Sequence, residues 1–125
     1  MWVTIAQQKL RSLMEDVMIG CGRWIEAIII VSKDGSPMAY SANIDLEPDY
    51  VAAATSSIAG VTSSVLELLD SRGFDGIDIR LKEDRYLLLR SYESHYVVAL
   101  TKPTPQLRFV NLALDACLSS GNEDV

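Results

Sequence analysis

A single histidine, two cysteines and seventeen carboxylates are the side chains from which this 125-residue chain could build a reactive centre. Nucleophilic catalysis needs a base placed beside the nucleophile. His95 is the sole imidazole, and it opens a strand just after a turn, where a surface or edge role is expected. No Gly-x-Ser-x-Gly elbow supports a serine nucleophile. Cys21 and Cys117 stand far apart with no short-spaced partner, so they and His95 do not make a zinc site. Gly20-Cys21-Gly22 lacks the lysine of a phosphate loop and reads as a helix-to-strand connector. Glu15-Asp16, Glu83-Asp84 and Glu123-Asp124 fall on a helix surface, a turn and a tail. General acid–base work needs two carboxylates converging on one cleft. Among the cations, Arg72, Arg80, Arg85 and Arg90 raise the question of an arginine completing a nucleotide site in trans. Arg80 and Arg90 lie in strands, where pairing with Asp78 or Glu93 is the simpler role. The expectation is no catalytic residue, no metal and no cofactor.

The bulk composition narrows the partners. A net charge of −6 and a pI near 4.6 argue against binding nucleic acid or anionic lipid. Hydrophobic residues at 49% supply a core for one domain, expected over 1–120 with a flexible tail at 121–125. Met1-Trp2-Val3 leads into QQKLR rather than into an apolar stretch, so no signal peptide is read and a cytoplasmic location is expected. Reduced, buried thiols are then expected over a disulfide joining the ends of the chain.

The elements follow from periodicity. Leu10, Leu13, Met14 and Val17 repeat at helical intervals, with Thr4 and Gln7 at capping-box spacing. Trp24–Ser32 is β-branched and apolar, as in a central strand, and Asp34-Gly35 turns it into a second strand, Pro37–Ser41. A helix spans about Asp49 to Asp70. Ile77, Ile79 and Leu81 alternate with Asp78, Arg80 and Lys82, and strands at Arg85–Ser91 and His95–Thr101 complete a meander. Thr104 is placed to cap a last helix beginning at Pro105. The order α-β-β-α-β-β-β-α gives an α+β fold with a five-stranded, mainly antiparallel sheet and helices on both faces.

The middle helix is the unusual element. Tyr50–Leu66, YVAAATSSIAGVTSSVL, has no Asp, Glu, Lys or Arg, although charged residues make up 22% of the chain. Six of these seventeen residues are Ser or Thr, too polar a run for a membrane span. Val51, Ala54, Ile58, Val61, Val65 and Leu68/Leu69 form the expected core stripe. The other side, with Ala52, Ala53, Ser56, Ser57, Ala59, Gly60, Ser63 and Ser64, lacks the lysines and glutamates of a solvated face. A second protein is expected to cover it, and pairing of Ala53, Ser57, Gly60 and Ser64 with a symmetry mate is the simplest arrangement.

Taken in order, LRSLMEDV…WIEAIIIVSKDGSPMAYS, VAAATSSIAGVTSSVLELLD and IDIRLKEDRYLLLRSYESHYVVALT resemble the roadblock/dynein light-chain family, in its bacterial and archaeal form. That resemblance covers roughly Leu10 to Leu118 and implies a profilin-like fold that dimerises, with itself or a paralogue, into a continuous ten-stranded sheet. It implies a strand seam at Ile77, Asp78 and Ile79 and a helix seam at Ala53, Ser57, Gly60 and Ser64. It also implies a platform for a Ras-like small GTPase, for which Ala52, Ser56, Ala59, Ser63 and Glu67 are the candidate contacts. Some prokaryotic members of the family speed GTP hydrolysis by remodelling the GTPase's own switch loops. The alternative is an adaptor in a motor, cytoskeletal or signalling complex without effect on nucleotide turnover; a small-molecule sensor on the same sheet finds no polar pocket residues in the sequence.

Overall fold

β1 (Ile25–Ser32) is buried on both of its faces, and everything else is arranged around that fact. Its even residues, Ile28 and Ile30, enter a core shared with Leu10, Leu13, Val17, Leu88, Val110 and Leu114. Its odd residues, Ile29 and Val31, enter a second core with Ala52, Ala59, Leu89, Tyr96 and Val98. Alternation along one strand therefore forces a layer of helix on each side of the sheet.

The computed structural model describes residues 5–123, with side-chain environments for residues 7–119. The elements are α1 (Ile5–Cys21), β1, β2 (Pro37–Ala42), α2 (Pro48–Leu68), β3 (Gly76–Arg80), β4 (Tyr86–Tyr92), β5 (His95–Thr101) and α3 (Leu107–Glu123). The strand order is β2-β1-β5-β4-β3, and every neighbouring pair is antiparallel. α1 and α3 pack on one face and on each other, and α2 lies on the opposite face. The α+β architecture expected from the sequence is the one observed.

The β1–β2 turn is built as its residues require. Gly35 takes φ +94°, a left-handed value that costs glycine little. The Asp34 carboxylate accepts hydrogen bonds from the Ser32 hydroxyl and, at 3.2 Å, from the Ser36 amide. Those contacts, with Ser32 foremost, hold its pKa below the ordinary carboxylate value. Across the fold, Glu26 on β1 pairs with Arg85, both of them largely shielded from solvent.

Helix boundaries depart from expectation at three places. α1 runs through Gly20 to Cys21, while Thr4, its expected cap, lies outside the described residues. α3 starts at Leu107, not at Pro105. Thr104 takes φ +49°, gives its hydroxyl proton to the Pro103 carbonyl at 2.8 Å and its amide to the Asp84 carbonyl at 3.0 Å. Prolines on both sides restrict the backbone, so this segment is a strap tied to the β3–β4 turn and the helix begins after it. α3 continues to Glu123; the last two residues of the segment read as a tail lie outside the described residues.

Candidate functional site

α2 presents to solvent the side expected to face the core. Ala52 and Ala59 are 0% exposed and Thr55 is 2% exposed, and these small residues form its contact with the sheet. Val61, Val65, Leu68 and Leu69, expected in the core, are 66%, 49%, 85% and 70% exposed. Val51 and Ile58 are half-buried at the margin and Ala54 is exposed. At 100° per residue the helix is turned by about a third of a revolution from the expected setting. The cause lies in the sheet: Ile29, Val31, Leu89, Tyr96 and Val98 already fill the space beneath. Only small residues let the helix sit close over such side chains.

Two further contacts fix that rotation. The Ser56 hydroxyl donates to the Lys33 carbonyl at 3.0 Å. A Cβ added to Gly35 would lie 3.3 Å from Ser56 Cβ and 3.6 Å from Ala53 Cα, so the hairpin turn rests against the helix. Phe74 stacks on Tyr96 with centroids 6.4 Å apart, and Lys33 Nζ sits 4.0 Å over the same Tyr96 ring.

Of the twelve residues singled out in the sequence, the structure brings Ala53, Ser57, Gly60 and Ser64 together on the exposed side of α2. Nothing lies within 4 Å of where a Gly60 Cβ would be, so the notch is open. The proposed partner contacts divide. Glu67 is exposed, and Ser56 and Ser63 are half-buried. Ala52 and Ala59 are fully buried against the sheet and have no surface to offer a partner. The outward face carries instead Tyr50, 76% exposed, with Ala54, Val61, Val65 and Leu68. The sequence alone places Val61, Val65 and Leu68 in the core because their spacing, 4 and 3, is also that of a core stripe.

The two serine hydroxyls on this face, those of Ser57 and Ser64, are already occupied. Ser57 Oγ donates to the Ala53 carbonyl and Ser64 Oγ to the Gly60 carbonyl, both at 3.1 Å. A serine bonded back to its own helix loses little when water leaves. The face therefore behaves as more apolar than its composition, and each Val or Leu removed from water is worth about 1.5–3 kcal/mol. An aliphatic slot of about 130 Å³ opens beside the start of the helix, lined by Ile44, Leu46, Val51, Leu87 and Leu100 above Ile29 and Val98. α2 is also, among the described residues, the one helix long and apolar enough to cross a membrane; here Ala52, Thr55 and Ala59 pack against the sheet.

The second cluster, Ile77, Asp78 and Ile79, lies on β3, an edge strand with one side unpaired. Ile77 and Ile79 point to the α2 side and are half-buried, while Asp78 is exposed. Arg90 anchors this edge to α3. Its Nη1 donates to Asp78 at 2.7 Å, its Nη2 to Asn111 at 2.9 Å, and its Nε lies 3.6 Å from Asp115. A Cβ on Gly76 would fall 2.7 Å from Arg90 Nη1, so glycine there makes room for the guanidinium. Asp78–Arg90 was one pairing open in the sequence; Arg80 pairs with Asp84 at 3.3 Å and Glu93 with Lys9 at 2.9 Å.

The cysteines are free. Burial, followed by the nearby Cys117, pushes the Cys21 thiol up to about 11. Burial also raises Cys117. Low-pKa thiols are the reactive ones, and these are shifted the other way.

This architecture, a five-stranded antiparallel sheet between an α1/α3 layer and a single small-residue helix, defines a class of small three-layer α+β domains. Residues 23–101 match the Roadblock/LC7 domain model, and the chain belongs to that family. Among solved structures it is similar to MglB of Myxococcus xanthus, with a TM-score of 0.84 and 11% identity over 98% of this chain and 92% of that one. It is also similar to the gliding protein MglB from Thermus thermophilus, with a TM-score of 0.81 and 15% identity over 99% and 96% of the two chains. A profilin of Schizosaccharomyces pombe shares the sheet and helices at a TM-score of 0.63 and 17% identity, over 87% and 93%. No curated protein matches the chain by sequence.

Proposed function

We propose that this chain is a non-catalytic cytoplasmic regulator or scaffold that works as a dimer, with itself or with a roadblock paralogue, and binds a Ras-like small GTPase. The observation that carries the reading is the outward face of α2, where Tyr50, Val61, Val65 and Leu68 surround an open notch at Gly60 with no charged side chain between Tyr50 and Leu66. An apolar patch of this kind on a small domain marks a protein-binding surface. Membership of the roadblock family supports the assignment to protein-partner binding rather than to chemistry.

In the dimer, two α2 helices meet across the notch formed by Ala53, Ser57, Gly60 and Ser64. Tyr50, Ala54, Val65, Leu68 and Glu67 flank that seam and form the surface offered to the GTPase. Regulation works by selection. A platform that binds one switch conformation better than another shifts the GTPase population only by that difference in affinity.

The test mixes the full chain with a Ras-like GTPase from the same genome, loaded with GDP or with a non-hydrolysable GTP analogue. Size-exclusion chromatography reads complex formation, and single-turnover hydrolysis reads regulation. A nucleotide-dependent complex with altered hydrolysis is expected. Absence of a complex in both nucleotide states would overturn the proposal. Tight binding with unchanged hydrolysis would assign the chain to the adaptor class.

A further inference from the structure

The exposed edge of β3 carries a charge pattern that selects one way for two copies to meet. The inference rests on the dimer proposed above and specifies its seam. The Ser91 amide donates to the Asp75 carbonyl at 3.0 Å, and the Leu81 amide donates to the Arg85 carbonyl at 2.7 Å. In an antiparallel ladder such pairs recur at every second residue. Residues 75, 77, 79 and 81 thus spend their backbone groups on β4, and Gly76, Asp78 and Arg80 turn theirs outward. The same three residues share the α1/α3 face of the sheet, because Asp78 opposes Leu88 and Arg80 opposes Tyr86, both of that core.

Two antiparallel copies of β3 related by a two-fold axis through the sheet must centre that axis on a residue. A centre at Asp78 places the two Asp78 carboxylates opposite each other. It also sets the partner's Arg80 against Gly76, where the Arg90 guanidinium already lies. Like charges directly opposite are unfavourable in a sheet. A centre at Ile77 opposes Asp78 to Gly76 and gives no direct charge pair. A centre at Ile79 opposes Asp78 to the partner's Arg80 twice over, once on each side of the axis. On the other face it stacks Ile79 on its mate and Ile77 on the partner's Leu81, which is extended at φ −98°, ψ 174° and 37% exposed.

We infer that the β3 seam implied by the family resemblance takes the register centred on Ile79, and that the reciprocal Asp78–Arg80 pairs set both this register and the choice of partner. Asp78 then lies between Arg90 of its own chain and Arg80 of the other. A paralogue that lacks either charge is discriminated against at this seam.

The experiment reads mass by light scattering and native mass spectrometry on the full chain. Asp78→Arg and Arg80→Asp each create two like-charge pairs and are expected to weaken self-association on the order of tenfold or more. Mixing the two variants restores unlike charges at both positions, so a mixed dimer is expected where neither variant pairs with itself. Ile79→Cys, which leaves every charge in place, puts two thiols in a close non-hydrogen-bonded pair and is expected to form an intermolecular disulfide in air; Asp78→Cys is expected not to. A wild-type dimer whose Arg80→Asp variant stays fully dimeric, or which cross-links through residue 78 and not 79, overturns the register and leaves the dimer standing. A monomeric wild type overturns both.

Discussion

Leu10, Leu13, Val17, Val110, Leu114 and Leu118 cover one face of the sheet with large aliphatic side chains that are all but inaccessible to water. Ala52, Thr55 and Ala59 cover the other, while Val61, Val65 and Leu68 on the same helix stay exposed. The first face follows the ordinary rule in which a helix turns its bulk inward. On the second, the sheet itself supplies the bulk, through Ile29, Val31, Leu89, Tyr96 and Val98. What this teaches is that apolar periodicity locates a helix more surely than it orients one. A helix with small residues on one side and branched ones on another has two faces that could serve as its core side, and the partner layer decides between them.

That contrast can be broken at its strongest point first. Leu114→Ala empties a site that is 0% exposed between α1, α3 and the sheet. It is expected to cost about 2–5 kcal/mol in chemical denaturation. Ala59→Leu forces bulk beneath α2, where the helix already sits on large side chains, and should cost about 1–3 kcal/mol. Val65→Asp, less than two turns further along the same helix, should change stability by no more than about 0.5 kcal/mol. It should abolish partner binding. Equal destabilisation by Ala59→Leu and Val65→Asp would contradict the rotation of α2 described here.

The α1/α3 side has a pH signature in the alkaline range. Cys21 titrates at about 11 in the fold against an ordinary 9.0. Its contribution is full below pH 9 and is lost as pH rises from 9 toward 11, because the unfolded chain releases that proton first. In that window stability should fall by about 1.4 kcal/mol per pH unit. Cys21→Ala should reduce the slope, leaving the part that comes from the likewise raised Cys117, as read by denaturant titrations at pH 8 and 10. An effect of the opposite sign is expected at the notch. Gly60→Ala meets nothing within 4 Å and should stabilise the isolated chain by about 1 kcal/mol through helix propensity. Gly60→Leu should drive the protein toward monomer in light scattering, because two-fold symmetry repeats the overpacking. A fully dimeric Gly60→Leu variant would move the helix seam elsewhere.

Much of this was legible in the residues. The alternation of Ile77 and Ile79 with Asp78 and Arg80 marks an exposed strand, and β3 is an edge. Asp34-Gly35 marks the hairpin turn, and Gly35 is left-handed there. The uncharged run from Tyr50 marks a helix, and α2 is one. The outward side of α2 was not legible, because Ala52 and Ala59 look like surface beside Val61 and Val65 until the sheet beneath them is seen. Thr104 misled for a related reason: its capping chemistry is local, but its amide is claimed by the Asp84 carbonyl, twenty positions earlier in the chain.

By itself, then, the order of residues settled the elements and the absence of charge along one helix, since each depends on short-range periodicity and composition. Its resemblance to a known family over most of the chain pointed to the roadblock fold. Tertiary structure alone decided which side of α2 faces water and which backbone groups of β3 remain free. Both depend on what packs against the element from distant parts of the chain, and volume beneath a helix and pairing along a strand leave no local trace in the residues that answer to them.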